Sequence, residues 1–242
     1  MSPGRLIGVG LGPGDPELVT LKALNAMRAA PVIAYFAKAG RRGHARAIAD
    51  PHLPEGRIEE PLAYPVTTEI AFDDPAYGAA LSAFYAQSAA RLAAHLRAGR
   101  DVALLCEGDP LFYGSFMHLY ERLRGEFATQ VIPGISAMSG AWSAAGLSMT
   151  WGDDQLSVLA ATLPLAALTE RLKRAEAAVV MKVGRNLSKV REALSEAGRL
   201  GNAHYVEYAT QRRQTSCPLA QKLGDAAPYF SIVLVPGLGR RP

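Results

Sequence analysis

The chain has 242 residues, 49% hydrophobic and 20% charged, with a formal net charge of +4. That balance allows a substantial core, as one large domain or two small ones, and excludes an intrinsically disordered chain. The positive surplus is small and scattered, with few aromatics interleaved, so no nucleic-acid partner is expected.

In chain order, an apolar run at 6–9 predicts a strand ending in a Gly-rich turn. A helix is predicted over 16–29, with Pro16 at its first position and Leu18, Leu21 and Leu24 at helical spacing. A second strand at 31–36 leads into a basic, turn-rich segment, 38–44. Residues 51–76 are rich in Pro, Glu and Thr without a clean period and read as a long excursion. An alanine-rich helix over 76–97 precedes a strand at 101–106, its terminal loop at 107–113 and a helix at 114–124. A strand at 129–132 turns through Pro133-Gly134 into a helix starting near Ser136. Residues 127–152 carry no charge, yet Pro133, Gly134, Gly140, Gly146 and several serines make them too polar for a spanning helix, so no membrane partner is expected.

The pattern pauses at 150–154, which predicts an N-terminal α/β domain over 1–149 and a C-terminal one over 150–242. Strands follow at 156–160, 178–183, 204–208 and 230–235, with helices at 165–174 and 187–197. Too little chain precedes the last strand for a crossover, so an antiparallel neighbour is expected there. Short apolar runs alternating with helices predict an α/β fold of two αβα domains, with a parallel N-terminal sheet. A cleft between such halves is a common place for a ligand.

Cys106 and Cys217 lie far apart, outside any CxxC pair, which fits a reducing cytoplasm rather than a zinc ribbon or a disulfide scaffold. The five histidines are scattered, none at i,i+4 spacing, and no metal is expected. The first residues lack a long apolar stretch and reach Asp15 early, so no signal peptide is read there.

Five strand-end segments carry the chemistry. The first is Gly8-Val9-Gly10-Leu11-Gly12-Pro13-Gly14-Asp15-Pro16. A dinucleotide loop would read GxGxxG there. Starting at Gly8 puts Pro13 at the third glycine, and starting at Gly10 puts Asp15 there. Pro13 lacks an amide donor and Asp15 repels phosphate, which speaks against a nicotinamide- or flavin-dependent oxidoreductase. The others are Glu107-Gly108-Asp109-Pro110-Leu111-Phe112-Tyr113-Gly114, Pro133-Gly134-Ile135-Ser136-Ala137, Val179-Val180-Met181-Lys182-Val183-Gly184-Arg185 and Glu207-Tyr208-Ala209-Thr210. Each also has a bland reading: Asp109 or Ser136 as a helix cap, Met181 as core.

In this order the five segments resemble the signatures of the class III, or tetrapyrrole, methylases: a GxGPGDPxLLT start, a GDP loop, a PGxS/T-A turn, a methionine-ending strand and a late Glu-x-x-Thr strand. Within that family, Tyr64-Pro65-Val66-Thr67-Thr68-Glu69 and Met181-Lys182-Val183-Gly184-Arg185-Asn186 are similar to the enzymes that methylate carbon 20 of precorrin-2. The sirohaem-forming relatives usually carry a GGDP loop ending in Phe-Gly-Arg. Here it reads Glu-Gly-Asp-Pro and ends in Phe112-Tyr113-Gly114-Ser115.

The resemblance implies two α/β domains with a mixed C-terminal sheet, S-adenosyl-L-methionine held in the cleft between them, a homodimer, and a tetrapyrrole substrate of cobalamin biosynthesis. Carried over by motif, the cofactor contacts are Pro13, Glu107, Gly108, Asp109, Phe112, Ser136, Ala137, Met181, Ala209 and Ser231. Tyr113 and Glu107 are the polar groups for the proton step, alongside bulk water. Substrate carboxylates call for cations at strand ends, and Arg41, Arg42, Arg46 and Arg185 are the candidates. A methylase acting on another ring carbon or on cobalt-factor II stays open at this point.

Overall fold

Strands β1 (Leu6–Gly10), β2 (Val32–Lys38), β3 (Ile58–Tyr64), β4 (Val102–Cys106) and β5 (Thr129–Ile132) lie side by side in the computed structural model, which describes residues 2–65 and 75–239. Their order is β3-β2-β4-β1-β5, and every pairing is parallel. A parallel sheet covered on both faces needs apolar residues at successive positions, and β1 and β4 are buried along their whole length. Alternate residues serve opposite faces. Leu6, Val32, Val102 and Leu104 pack with helices α3 (Pro75–Arg97) and α4 (Phe116–Leu123) through Leu92, Leu96, Phe116 and Leu119. Ile7, Val9, Ile33 and Leu105 pack with α1 (Leu21–Ala29) and α2 (His44–Ala49) through Met27, Ala23 and Ile48. Each fully buried leucine of these layers contributes about 1.5–3 kcal/mol.

A second sheet contains β6 (Leu156–Ala160), β7 (Ala177–Met181), β8 (His204–Glu207), β9 (Thr215–Pro218) and β10 (Ser231–Val235) in the order β6-β7-β10-β8-β9. β6 and β7 are parallel, and the remaining pairs are antiparallel. Its faces bury against α6 (Leu165–Arg174) and α7 (Leu187–Glu196) on one side and α5 (Ala137–Ala145) on the other. The parallel first sheet and mixed second sheet match the architecture expected from the sequence.

The particulars differ in places. The excursion contains edge strand β3, whose Glu59, Glu60 and Pro61 suit an edge and whose only buried residue is Leu62. The basic turn after β2 runs into α2. Helix 16–29 splits into a 3-10 turn at Pro16–Leu18 and α1, because Thr20 accepts a hydrogen bond from the Ala23 amide at 3.1 Å and starts a new helix. Short β9 carries no sequence period. The backbone divides into units Met1–Ser136 and Ala137–Pro242. Helix α5, placed before the boundary on sequence, goes with the second unit because Ala141 packs on Val179, Val206 and Leu234. Of the Tyr64–Glu69 feature, Val66 to Glu69 lie outside the described residues.

Candidate active site

In the first unit the carboxyl ends of β1, β4 and β5 are knitted together by backbone. Gly12 and Gly108 form an antiparallel bridge, with the Gly108 amide donating to the Gly12 carbonyl at 2.8 Å. A Cβ on Gly10 would lie 2.4 Å from the Gly134 nitrogen, and one on Gly134 would lie 2.1 Å from the Gly108 carbonyl oxygen. Only glycine admits such an approach. The Gly-rich first motif is thus a packing device. Gly8 leaves room for the Phe116 ring, Gly10 for the Pro133-Gly134 turn, and Gly12 reaches the Gly108 loop.

Asp109 braces this junction. Its Oδ1 accepts from the Leu111 amide at 2.9 Å and its Oδ2 from the Gly134 amide at 3.2 Å. It therefore ties the loop after β4 to the turn after β5, where the sequence suggested a cap or a ligand contact. Asp15 plays a smaller part by accepting from the Glu17 amide at 2.9 Å. Pro13 is half-buried just after Gly12, which has φ +82°.

Glu107 is exposed as a residue, while its carboxyl turns back toward the chain to meet α2. Desolvation of that carboxyl raises its pKa above the ordinary carboxylate value, against the opposing hydrogen bond from the Ala45 amide at 3.1 Å. Phe112 packs edge-on to Tyr113, with ring centroids 4.8 Å apart. Tyr113 is 48% exposed and adopts φ +54°, a left-handed conformation that bulky residues rarely take.

In the second unit, β7 and β8 both run opposite to β10, so their carboxyl ends meet its start. Met181 ends β7 half-buried and packs in the α5 layer together with Ala209. Three further non-glycine residues are left-handed here: Lys182 (φ +57°), Tyr208 (φ +51°) and Thr210 (φ +66°). Ala209 thus sits between two strained neighbours, and such strain clusters at functional sites. Propensity arguments missed this signal, which only dihedral angles reveal. Ser231 is buried and its hydroxyl donates to the Pro228 carbonyl at 2.7 Å. Ser136 and Ala137 fall at the division between the units, Ala137 opening α5.

The four arginines fare unequally. Arg46 is 8% exposed, with its guanidinium on Asp50 and, at 2.6 Å, on Glu59. Tyr35 donates to the same Glu59 at 2.8 Å. Arg46 is thus buried beneath two exposed carboxylates that it pairs with, which leaves its guanidinium engaged within the protein. Arg42 pairs with Asp50 at 2.6 Å. Arg41 and Arg185 are exposed, and among the described residues neither makes an ion pair.

The family model for tetrapyrrole (corrin/porphyrin) methylases matches residues 5–226. The chain is 59% identical to a precorrin-2 C(20)-methyltransferase from Sinorhizobium sp over 99% of its own length and 98% of the relative's. It is 50% identical, over 98% of its length and 47% of the relative's, to the cobalamin biosynthesis protein CobIJ of Mycobacterium bovis. Its fold is similar to that of the uroporphyrin-III C-methyl transferase from Thermus thermophilus solved with S-adenyl homocysteine, with a TM-score of 0.66, 23% identity, and coverage of 96% of this chain and 97% of that one. The match of the family model over residues 5–226 and the 59% identity across nearly both whole chains lead to one conclusion: this chain belongs to the tetrapyrrole methylases.

Proposed function

We propose that this chain transfers a methyl group from S-adenosyl-L-methionine to carbon 20 of precorrin-2, giving precorrin-3A in cobalamin biosynthesis. The observation that carries this is the 59% identity, spanning nearly both whole chains, to a precorrin-2 C(20)-methyltransferase.

When bound, S-adenosyl-L-methionine supplies a methyl group on a cationic sulfonium. The loop after β4 suits a cation, because between 107 and 114 it carries two carboxylates, Glu107 and Asp109, and no Lys or Arg. Carried over by motif, Pro13, Glu107, Gly108, Asp109, Phe112, Ser136, Ala137, Met181 and Ala209 would hold the donor. Ser231 would act through its position more than its hydroxyl, which Pro228 occupies. The protein's main contribution is alignment of two bound reactants, worth about 7–11 kcal/mol when geometry is good.

The C20 carbon forms its new bond to the methyl carbon with an electron pair of the macrocycle as the methyl–sulfur bond breaks, its pair staying on sulfur to leave S-adenosylhomocysteine, and C20 must then lose a proton. Glu107 is our acceptor: its carboxyl takes a proton more readily than an ordinary carboxylate, and Asp109 is occupied as a brace. Tyr113 would orient the acceptor, since a phenol must lose its own proton before taking another. Arg41 and Arg185, with Arg42 beside its Asp50 partner, would meet substrate carboxylates.

A homodimer and a cytoplasmic location belong to the same proposal. Family likeness and two free, widely separated cysteines support it. Among the described residues no helix is long and apolar enough to cross a membrane. The decisive experiment incubates the protein with carbon-13 methyl-labelled S-adenosylmethionine and precorrin-2. Label at C20 by NMR, with one added methyl by mass, is expected. Label at another carbon, or none, rejects the reading.

A further inference from the structure

Ser115 stands at the N-cap of α4 but does not cap it. Its backbone is already helical, at φ −67° and ψ −18°, and its side chain makes no capping bond. Serine is a favoured cap, and a capping bond typically stabilises by about 1 kcal/mol. Here the hydroxyl is drawn elsewhere. Its Oγ accepts from the phenol of Tyr64, the last residue of β3, and at 3.1 Å from that of Tyr85 in α3. Three hydroxyls from three separate elements meet at one point.

The knot rests on an aromatic bed. Tyr64 lies 4.7 Å from Phe84 and stacks on Phe36 at 5.5 Å, while Tyr85 stacks on His118 at 4.3 Å. Tyr85 is only 6% exposed. Burial pushes the Tyr64 phenol well above its ordinary pKa, so it remains a donor throughout the working range. Hydroxyls that satisfy one another in a partly buried setting are costly to break singly, because the partners left behind lose their bonds.

The position of the knot gives it a role. Tyr113, two residues upstream, is held left-handed, a conformation that persists only where both flanks are fixed. Upstream, β4 and the Asp109 brace fix the chain. Downstream, Ser115 is tied to β3 and α3. We propose that Tyr64, Ser115 and Tyr85 are positioning residues for methyl transfer, their hydroxyl knot holding the downstream end of the Glu107–Gly114 loop in its reactive shape. This rests on the reading of that loop as part of the methyltransferase site.

The test uses the full chain with Ser115→Ala, Ser115→Thr, Tyr85→Phe and the Ser115→Ala/Tyr85→Phe double variant. Turnover, the precorrin-2 KM, calorimetric affinity for S-adenosylhomocysteine and thermal midpoint are measured for each. Ser115→Ala should lower kcat at least about tenfold while KM moves less than about threefold, because orientation rather than binding is lost. Ser115→Thr, which keeps the hydroxyl, should recover most of that turnover. The double variant should lose little beyond Ser115→Ala, since both changes break one network. A smaller loss in kcat than tenfold, or no recovery in a folded Ser115→Thr, overturns the inference even if the thermal midpoint falls. If Ser115→Ala does not fold, Tyr85→Phe is judged by the same kcat threshold. A parent chain that transfers no methyl overturns the underlying reading, whereas an active parent with an unaffected Ser115→Ala overturns only the knot.

Discussion

The two sheets present their strand ends in contrasting ways. In the first unit the edge is closed by glycines whose backbones touch, Gly10 and Gly12 meeting Gly134 and Gly108, with Asp109 across the seam. In the second unit the edge is shaped by side-chain-bearing residues forced left-handed, Lys182, Tyr208 and Thr210. Close packing leaves the first edge no tolerance for added volume. Strain leaves the second tolerant of volume and sensitive to conformational preference. Fixing a strand-end loop thus relies chiefly on backbone contact in the first unit, where Tyr113 alone of the non-glycine residues is left-handed among those described, and on dihedral angles in the second.

The sharpest way to test the steric half of that contrast is to add one methyl group at a crowded glycine and one at an open glycine. Gly134→Ala would place a Cβ 2.1 Å from the Gly108 carbonyl, so backbone must move. We expect at least about 3 kcal/mol of destabilisation by urea unfolding, the upper range for overpacking, with turnover abolished. Gly201, in the turn before β8 rather than on the second edge, has nothing within 4 Å of a Cβ and serves as an uncrowded control. Gly201→Ala should shift stability by less than about 0.5 kcal/mol. Equal effects at the two positions would contradict the steric account.

Next in size is Glu107→Gln, expected to lower kcat by about 100-fold by removing the proton acceptor. The raised pKa moves the acid limb of the parent's kcat profile above the ordinary carboxylate range near 4.3, and the variant should lack that limb. Stability carries the opposite sign. A carboxyl whose folded-state pKa is raised favours folding fully below its unfolded pKa, and that contribution disappears as pH rises through the folded value. Relative to Glu107→Gln, the parent should therefore lose stability as pH climbs through this window. Parallel stability curves for the two proteins would remove the desolvation argument.

Asp109→Ala comes third. Losing the brace leaves the Leu111 and Gly134 amides without their acceptor and loosens the seam between two loops. Affinity for S-adenosylhomocysteine should fall at least about tenfold, or roughly 1.4 kcal/mol. Unchanged calorimetric affinity in a folded variant would detach the seam from donor binding.

Much of this was legible in the sequence, because hydrophobic period and Gly-Pro punctuation are local. Strand 129–132 and helix 165–174 coincide with β5 and α6. Edge strand β3 escaped because only Leu62 is buried, so it shows no alternation to read. The ordered motifs located the strand-end loops but not what their residues do. That Gly10 needs Gly134, or that Asp109 reaches the Gly134 amide, depends on partners far along the chain. The pairing of Arg46 with Glu59 is hidden for the same reason, since Glu59 lies in the segment without a clean period. Left-handed Tyr113, Lys182, Tyr208 and Thr210 lack the usual Gly or Asn signature, so local propensity was silent about them.

The smallest expected effect bears on the second edge alone. Lys182 follows β7 with φ +57° and is exposed. Asparagine tolerates this conformation well, so Lys182→Asn should leave stability within about 0.5 kcal/mol of the parent. Valine is branched at Cβ and resists left-handed backbone, so Lys182→Val should cost about 1–2 kcal/mol although the two side chains differ little in size. Urea unfolding of the pair separates dihedral preference from packing. If asparagine and valine proved equally costly, the left-handed turn would not govern this edge. A valine penalty confined to position 182, with none at an exposed strand position, would tie the effect to the turn.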